Sequence, residues 1–289
     1  MITLENKYLK AVINPTGAEL TKIYSKVTQT DYLWNGDASY WGRHAPILFP
    51  IIGKLKDDYC FIDNQKYTIN KHGFVREALF TVVSKNNTEV VLEFQYSKNT
   101  LQSYPFKFSL KISYKIENNK LSVEHNINNI DNKTIYFAIG GHPAFNCPLT
   151  PNSSFNDYYL EFEQEETPTL WMVNMKTGLC SGQTKQINLG NKLNLNYDLF
   201  KNDALIFEKL KSKKVILKSN KHNLNVSMSL SNWKFLAFWT KKEAPFICFE
   251  PWTSLPDLDN SNNDFTSKIG IEKLAKGKTF TNKYDLVFN

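Results

Sequence analysis

A two-residue rhythm constrains this chain more than any other feature. In KFSLKISYKI, Phe108, Leu110, Ile112, Tyr114 and Ile116 fall on one face, and Lys107, Ser109, Lys111, Ser113 and Lys115 on the other. That is the pattern of a strand with one face in a core and one in water. After ENNK the rhythm resumes with Leu121, Val123 and Ile127, which predicts an antiparallel hairpin closed by an Asn-rich turn. LFTVV and EVVLEFQYS around SKNNT repeat the arrangement, as do KKVILKS and NLNVSMSLS around NKH, and KTFTNKYDLVF supplies another strand. No window carries a long amphipathic helix, a fixed-period repeat or a Pro/Gly/Ser linker. Strands polar on one face only stack as antiparallel sheets, so the 289 residues predict one large all-β domain spanning 1–289.

Composition narrows the function. Hydrophobic residues make up 42% and charged residues 22%, as in ordinary globular chains. The opening MITLENKYLKAVINPTGAEL lacks an apolar leader, and no stretch approaches a membrane span. Cys60, Cys147, Cys180 and Cys248 are scattered without metal-type spacing, so a disulfide-free cytoplasmic protein is expected. The net charge of +7 comes from dispersed lysines such as Lys209, Lys211, Lys213 and Lys214 rather than a basic, aromatic-studded face, which argues against nucleic acid. Of 35 basic residues only Arg43 and Arg76 are arginine. Either they stand where a planar fork is needed, or they are accidents of a lysine-biased composition.

Four segments break the rhythm. YWGRHAPILFP holds Arg43 and His44, KHGFVREALF holds His72 and Arg76, GGHPAFNCPL holds His142, and PFICFEPWTSLPD holds Glu250. The run Phe246, Ile247, Cys248, Phe249 predicts a strand covered on both faces, which would desolvate Glu250 at its end and strengthen it as a base. The plain alternative is a strand-end glutamate in a salt bridge. His142 lies in a Gly-Pro turn, where it either bonds its own loop or meets a ligand that Gly140 and Gly141 allow to come close, with Pro143 fixing the exit. His125, between Val123 and Ile127, is expected to be structural, and His222 solvated in a hairpin turn. His44 stays ambiguous.

Taken in order, AVINPTGAELTKIYSK, GRHAPILFPIIGKL, HGFVRE, GGHPAFNCPL, NDALIFEKL and FEPWTSLPD resemble the aldose 1-epimerase (galactose mutarotase) family. The match is nearest its LacX-like and hexose-6-phosphate epimerase-like branches, and it covers nearly the whole chain. The resemblance implies a β-supersandwich with a sugar site on its concave face and no cofactor or metal. It implies Glu250 as general base, His142 as general acid, and His72, Arg43 and Asp203 as sugar-binding residues. Arg76 matches an arginine of the phosphosugar branch. Trp252 or Phe74 would stack on the sugar's apolar face. The chain departs from typical galactose mutarotases where they carry Asn-Arg after the first arginine, since it reads RHAPILFP.

Such an enzyme takes a proton from the C1 hydroxyl and gives one to the ring oxygen, with acid and base expected on opposite sides of the anomeric centre. The expected partner is a small-molecule sugar or sugar phosphate, bound by a monomer or homodimer. An anion pocket would use Arg76, or Lys54 and Lys56 near Arg43. Two other readings stay open at this stage. A glycoside hydrolase would pair Glu250 with Asp203 or Asp257 across a glycosidic bond, and a carbohydrate-binding module would keep the fold without turnover.

Overall fold

The computed structural model describes residues 1–229 and 232–289. Its largest element is a nine-stranded antiparallel sheet in the order Gly190–Asn194, Tyr158–Glu166, Lys214–Ser219, Val226–Ser229, Thr279–Phe288, Lys120–Asn129, Phe108–Glu117, Glu89–Gln95 and Thr81–Lys85. The predicted hairpins are all there. Glu117 pairs with Lys120 across Asn118 and Asn119, and Asn118 takes a φ of 53°, the left-handed conformation asparagine tolerates in a tight turn. In the strand read as NLNVSMSLS, Val226–Ser229 is extended, and Leu230 and Ser231 lie outside the described residues. LFTVV departs from the half-buried pattern. As the outermost strand among the described residues, Thr81–Lys85 pairs on one side only and is exposed throughout.

A second sheet of eight strands runs Leu179–Gln186, Thr169–Asn174, Leu205–Glu208, Phe235–Trp239, Phe246–Trp252, Gly140–Gly141 and Ile47–Leu48, with Ala144–Asn146 also on Phe246–Trp252. The inner faces of the two sheets meet in one core. Phe162 of the first packs against Phe238 of the second at 6.4 Å. Phe49, next to the strand Ile47–Leu48, packs against Phe108 of the first at 4.9 Å, as does Phe137, from the separate short strand Ile135–Phe137, against Phe280 at 5.4 Å. This is the antiparallel supersandwich that the strand pattern and the resemblance called for. Among the described residues, no helix is long and apolar enough to cross a membrane.

His125 sits in the core as expected, fully buried between Trp233 and Tyr284. Burial pushes its pKa down to about 4. The unfolded chain therefore binds a proton near pH 6.5 that the folded chain refuses, so stability is full above that pH and falls as pH drops towards 4. Chemical denaturation at pH 7 and pH 4.5 should show His125→Phe losing less stability than the wild type, by about 2 kcal/mol. Equal losses would show that His125 does not carry this pH dependence.

Candidate active site

The strand Phe246–Trp252 is buried along its whole length, as its apolar run predicts. Side chains alternate, so Ile247 and Phe249 enter the main core while Phe246, Cys248, Glu250 and Trp252 project from the other face. The segment holding His142 is not the turn expected from its glycines and proline. It is an interrupted strand that pairs with Phe246–Trp252 on both sides of the break. Gly140 opposes Trp252 and Ala144 opposes Cys248, which sets His142 opposite Glu250. Pro143 cannot donate, but its carbonyl accepts from Phe249 N–H at 2.9 Å and the ladder continues. The two side chains consequently meet. His142 Nε2 lies 3.0 Å from Glu250 Oε2, and both residues are buried.

The glycines serve this packing rather than a ligand. A Cβ on Gly140 would come within 2.7 Å of the Trp252 ring, and one on Gly141 within 2.9 Å of the Tyr284 hydroxyl. Neither residue lines the cavity. What makes them necessary is close approach of core side chains.

The cavity on this face encloses about 210 Å³, and His142 and Glu250 open into it. Trp41, Trp239 and Trp252 form aromatic walls. Trp41 stacks on the His142 ring at 4.8 Å and 25°, and Trp239 meets it edge-on at 5.9 Å. The Trp252 Nε1–H is buried and has no hydrogen-bond partner among the described residues. Burial pushes the Glu250 carboxyl above its ordinary value, with His142 opposing the shift and Asp203 adding to it.

His72 completes the polar cluster, its ring 5.8 Å from that of His142. The sequence KHGF positions it through an uncommon backbone. His72 has a φ of 65° and Gly73 of 78°, and a Cβ on Gly73 would fall 1.9 Å from the Phe49 carbonyl oxygen. Gly53 N–H donates to His72 Nδ1 at 3.0 Å, which fixes the neutral tautomer with its proton on Nε2. Burial, then the neighbouring His142, Lys71, Arg76 and Arg43, hold its pKa well below the usual histidine range. His72 is thus a neutral donor beside a Glu–His pair. Asp203 reaches the same cavity from a backbone with φ of 73°, its Oδ1 accepting from Ala204 N–H at 2.7 Å.

The cationic side differs from expectation. Arg76 lines the cavity, whereas Arg43 does not and instead pairs its guanidinium with Glu77. Lys54 faces Asp58 at 3.5 Å, and Lys56 donates to the Ser261 carbonyl at 2.9 Å. The lysine at the cavity is Lys71, which nothing in a lysine-rich sequence distinguished except its place beside His72. Trp41 and Trp239 likewise carry no sequence signal that sets them apart from the other tryptophans. Phe74 packs on the core. His222 is half-buried rather than solvated, with Nε2 2.7 Å from the Tyr158 hydroxyl. His44 stays away from the cavity, beside Glu19. Asp257 points elsewhere too, buried against Lys268, so a second carboxylate facing Glu250 would have to be Asp203.

Residues 1–272 match the family model described as aldose 1-epimerase. The chain belongs to that family, whose activity is of the isomerase type. It is 34% identical over 294 residues to the chromosomal LacX protein of Lactococcus lactis subsp. lactis, covering 99% of this chain and 98% of that one. Its fold superposes on a galactose mutarotase related enzyme from Lactobacillus acidophilus with a TM-score of 0.96 and 30% identity, over 100% of this chain and 97% of the other. A galactose mutarotase-like protein from Lactobacillus casei ATCC 334 gives a TM-score of 0.94 and 33% identity over the full length of both chains.

Proposed function

We propose that this protein is an aldose 1-epimerase that interconverts the α and β anomers of a hexose or hexose phosphate, with residues 1–289 acting as one sugar-binding catalytic domain. The observation that carries the reading is the buried His142–Glu250 pair at 3.0 Å, open to a sugar-sized cavity. In the working state Glu250 is a carboxylate and His142 an imidazolium. Glu250 takes the proton of the C1 hydroxyl while His142 gives its own to the ring oxygen. The bond from C1 to the ring oxygen breaks, C1 becomes an aldehyde, and the aldehyde turns about C1–C2.

Ring opening leaves a protonated Glu250 and a neutral His142, which are the forms that closure needs. His142 then accepts the C5 hydroxyl proton and Glu250 returns its proton to O1. The pair carries one proton through the whole cycle and exchanges none with water. Desolvation makes Glu250 a stronger base than a surface carboxylate, and the adjacent imidazolium keeps it ionised. The two groups touch in the free protein, so sugar has to enter between them to give the opposed placement that the chemistry needs.

The remaining roles follow the cavity. His72 donates from Nε2 to a sugar oxygen and Asp203 accepts from a hydroxyl. The aromatic walls take the apolar face of the ring, and the Trp252 Nε1–H, without a partner among the described residues, adds a donor. Arg43, paired with Glu77, adds positive charge beside His72. Lys71 and Arg76 form a cationic edge suited to a phosphate.

Polarimetry on freshly dissolved α-glucose and α-galactose, alongside the 6-phosphates, tests this reading. The protein should speed the change in rotation with EDTA present, and KM should be lower for the phosphorylated sugar, an advantage that Arg76→Ala removes. An equal or higher KM for the phosphate would assign the site to free hexoses. No acceleration on any sugar, with binding retained, would favour a carbohydrate-binding protein. Release of reducing sugar from an oligosaccharide would favour a glycoside hydrolase.

A further inference from the structure

Behind the Glu–His pair lies a third group that the proposed reaction does not use. Cys248 shares the outer face of its strand with Glu250, two residues away, and Ala144 places it across from the segment that carries His142. One ligand atom from each of His142, Cys248 and Glu250 falls within 4.8 Å of the other two. All three residues are at least nine-tenths buried, at 7%, 0% and 2% exposure. His142 Nδ1 has no hydrogen-bond partner among the described residues, which leaves that nitrogen of the imidazole uncommitted there.

From this cluster we infer that His142, Cys248 and Glu250 form a binding site for a thiophilic divalent cation of the Zn²⁺ type, and that the bound ion closes the cavity to sugar. The donor set is one thiolate sulfur, one imidazole nitrogen and one carboxylate oxygen, which suits Zn²⁺ or Co²⁺ and not the all-oxygen preference of Mg²⁺ or Ca²⁺. Tetrahedral zinc holds such atoms about 3.3–3.6 Å apart, so the widest pair needs to close by roughly an ångström. The charge balances as well. A dication with one thiolate, one carboxylate and a neutral imidazole is electrically neutral, which a buried position requires. His142 and Glu250 line the cavity, which gives the ion its way in, while Cys248 lies behind them.

Binding exchanges the Cys248 thiol proton, and any proton held by the Glu–His pair, for the metal, with no change of oxidation state. Affinity should therefore rise with pH. That the ion blocks turnover rests on the proposed function. That it binds does not.

Titration of the full chain with Co²⁺ tests the site without an activity assay. One equivalent should produce a thiolate-to-cobalt charge-transfer band that Zn²⁺ then abolishes by displacement. Cys248→Ser, which keeps the shape of a side chain outside the proposed acid–base machinery, should lose the band, bind at least about 10-fold more weakly and keep its melting temperature. No charge-transfer band in the wild type, or the same band in Cys248→Ser, would overturn the inference, the latter because Cys60, Cys147 or Cys180 would then be the source. In a parallel assay Zn²⁺ should inhibit anomer exchange by the wild type and inhibit Cys248→Ser at least about 10-fold less strongly. A cobalt band of the expected kind in a protein that exchanges no anomers would leave the metal site standing and remove the mutarotase reading alone.

Discussion

Glu250→Gln should retain sugar binding and lose turnover. The amide keeps the shape of the carboxylate but cannot accept the C1 hydroxyl proton, so kcat should fall by roughly 10²-fold or more with little change in binding. His142→Asn should lower kcat to a similar degree. The double variant should cost far less than the product of the two, because both groups act in one proton-transfer step. The pH profile of kcat/KM should be bell-shaped, its acidic limb displaced upward from the ordinary carboxylate range because burial raises Glu250. That limb belongs to the coupled pair and should disappear with Glu250.

Stability gives an independent sign. A carboxyl whose folded pKa is raised favours folding fully only below its unfolded pKa, and that contribution is lost as pH rises through the folded value. At pH 7 an ionised Glu250 therefore weighs against the fold, and Glu250→Gln should melt no lower than the wild type. A salt-bridge glutamate of purely structural purpose makes the opposite forecast on both readouts: a less stable variant with undiminished turnover per folded molecule. Melting temperature and kcat measured on one preparation separate the two.

The largest stability effect should come from Lys268. Its ammonium pairs with Asp257, and each side chain is 3% exposed. Asp257 Oδ2 also accepts from Lys56 N–H at 3.0 Å, and its backbone N–H donates to the Lys54 carbonyl at 2.9 Å, which ties the segment after Gly53 to that after Pro256. Lys268→Met would leave a buried carboxylate without its counter-ion and should cost about 3–5 kcal/mol. Replacing both members, as Asp257→Leu with Lys268→Met, should recover part of that loss, because no lone charge is then left buried. Denaturant unfolding reads both. A Lys268→Met variant as stable as the wild type would show that water reaches Asp257.

The fold was largely legible because alternation is a local property. Leu121, Val123, His125 and Ile127 declare their face within one strand, and the unbroken run from Phe246 to Phe249 declares a strand covered on both sides. The site was legible only as a set of residue types. Whether His142 meets Glu250 depends on the register of two strands more than a hundred residues apart, and alternation carries no register between distant segments. The same limit explains the wrong reason given for Gly140 and Gly141, since Trp252 and Tyr284, which exclude a Cβ there, are remote in sequence. It explains Arg43 too. Glu77 adjoins Arg76 in the chain, yet it is Arg43 that folds onto it, leaving Arg76 and Lys71 for the cavity.

The central claim is that one buried glutamate and one buried histidine suffice to exchange anomers. NMR exchange spectroscopy on an equilibrated aldose tests it most directly, because α and β signals interconvert at equilibrium and no net reaction or coupling enzyme intervenes. Run with EDTA on free and 6-phosphorylated glucose and galactose, the wild type should give cross-peaks between the α and β anomeric protons of at least one sugar. These should fade to the uncatalysed level in the Glu250→Gln, His142→Asn double variant. Wild-type cross-peaks no stronger than those of buffer for every sugar, or cross-peaks undiminished in the double variant, would contradict it.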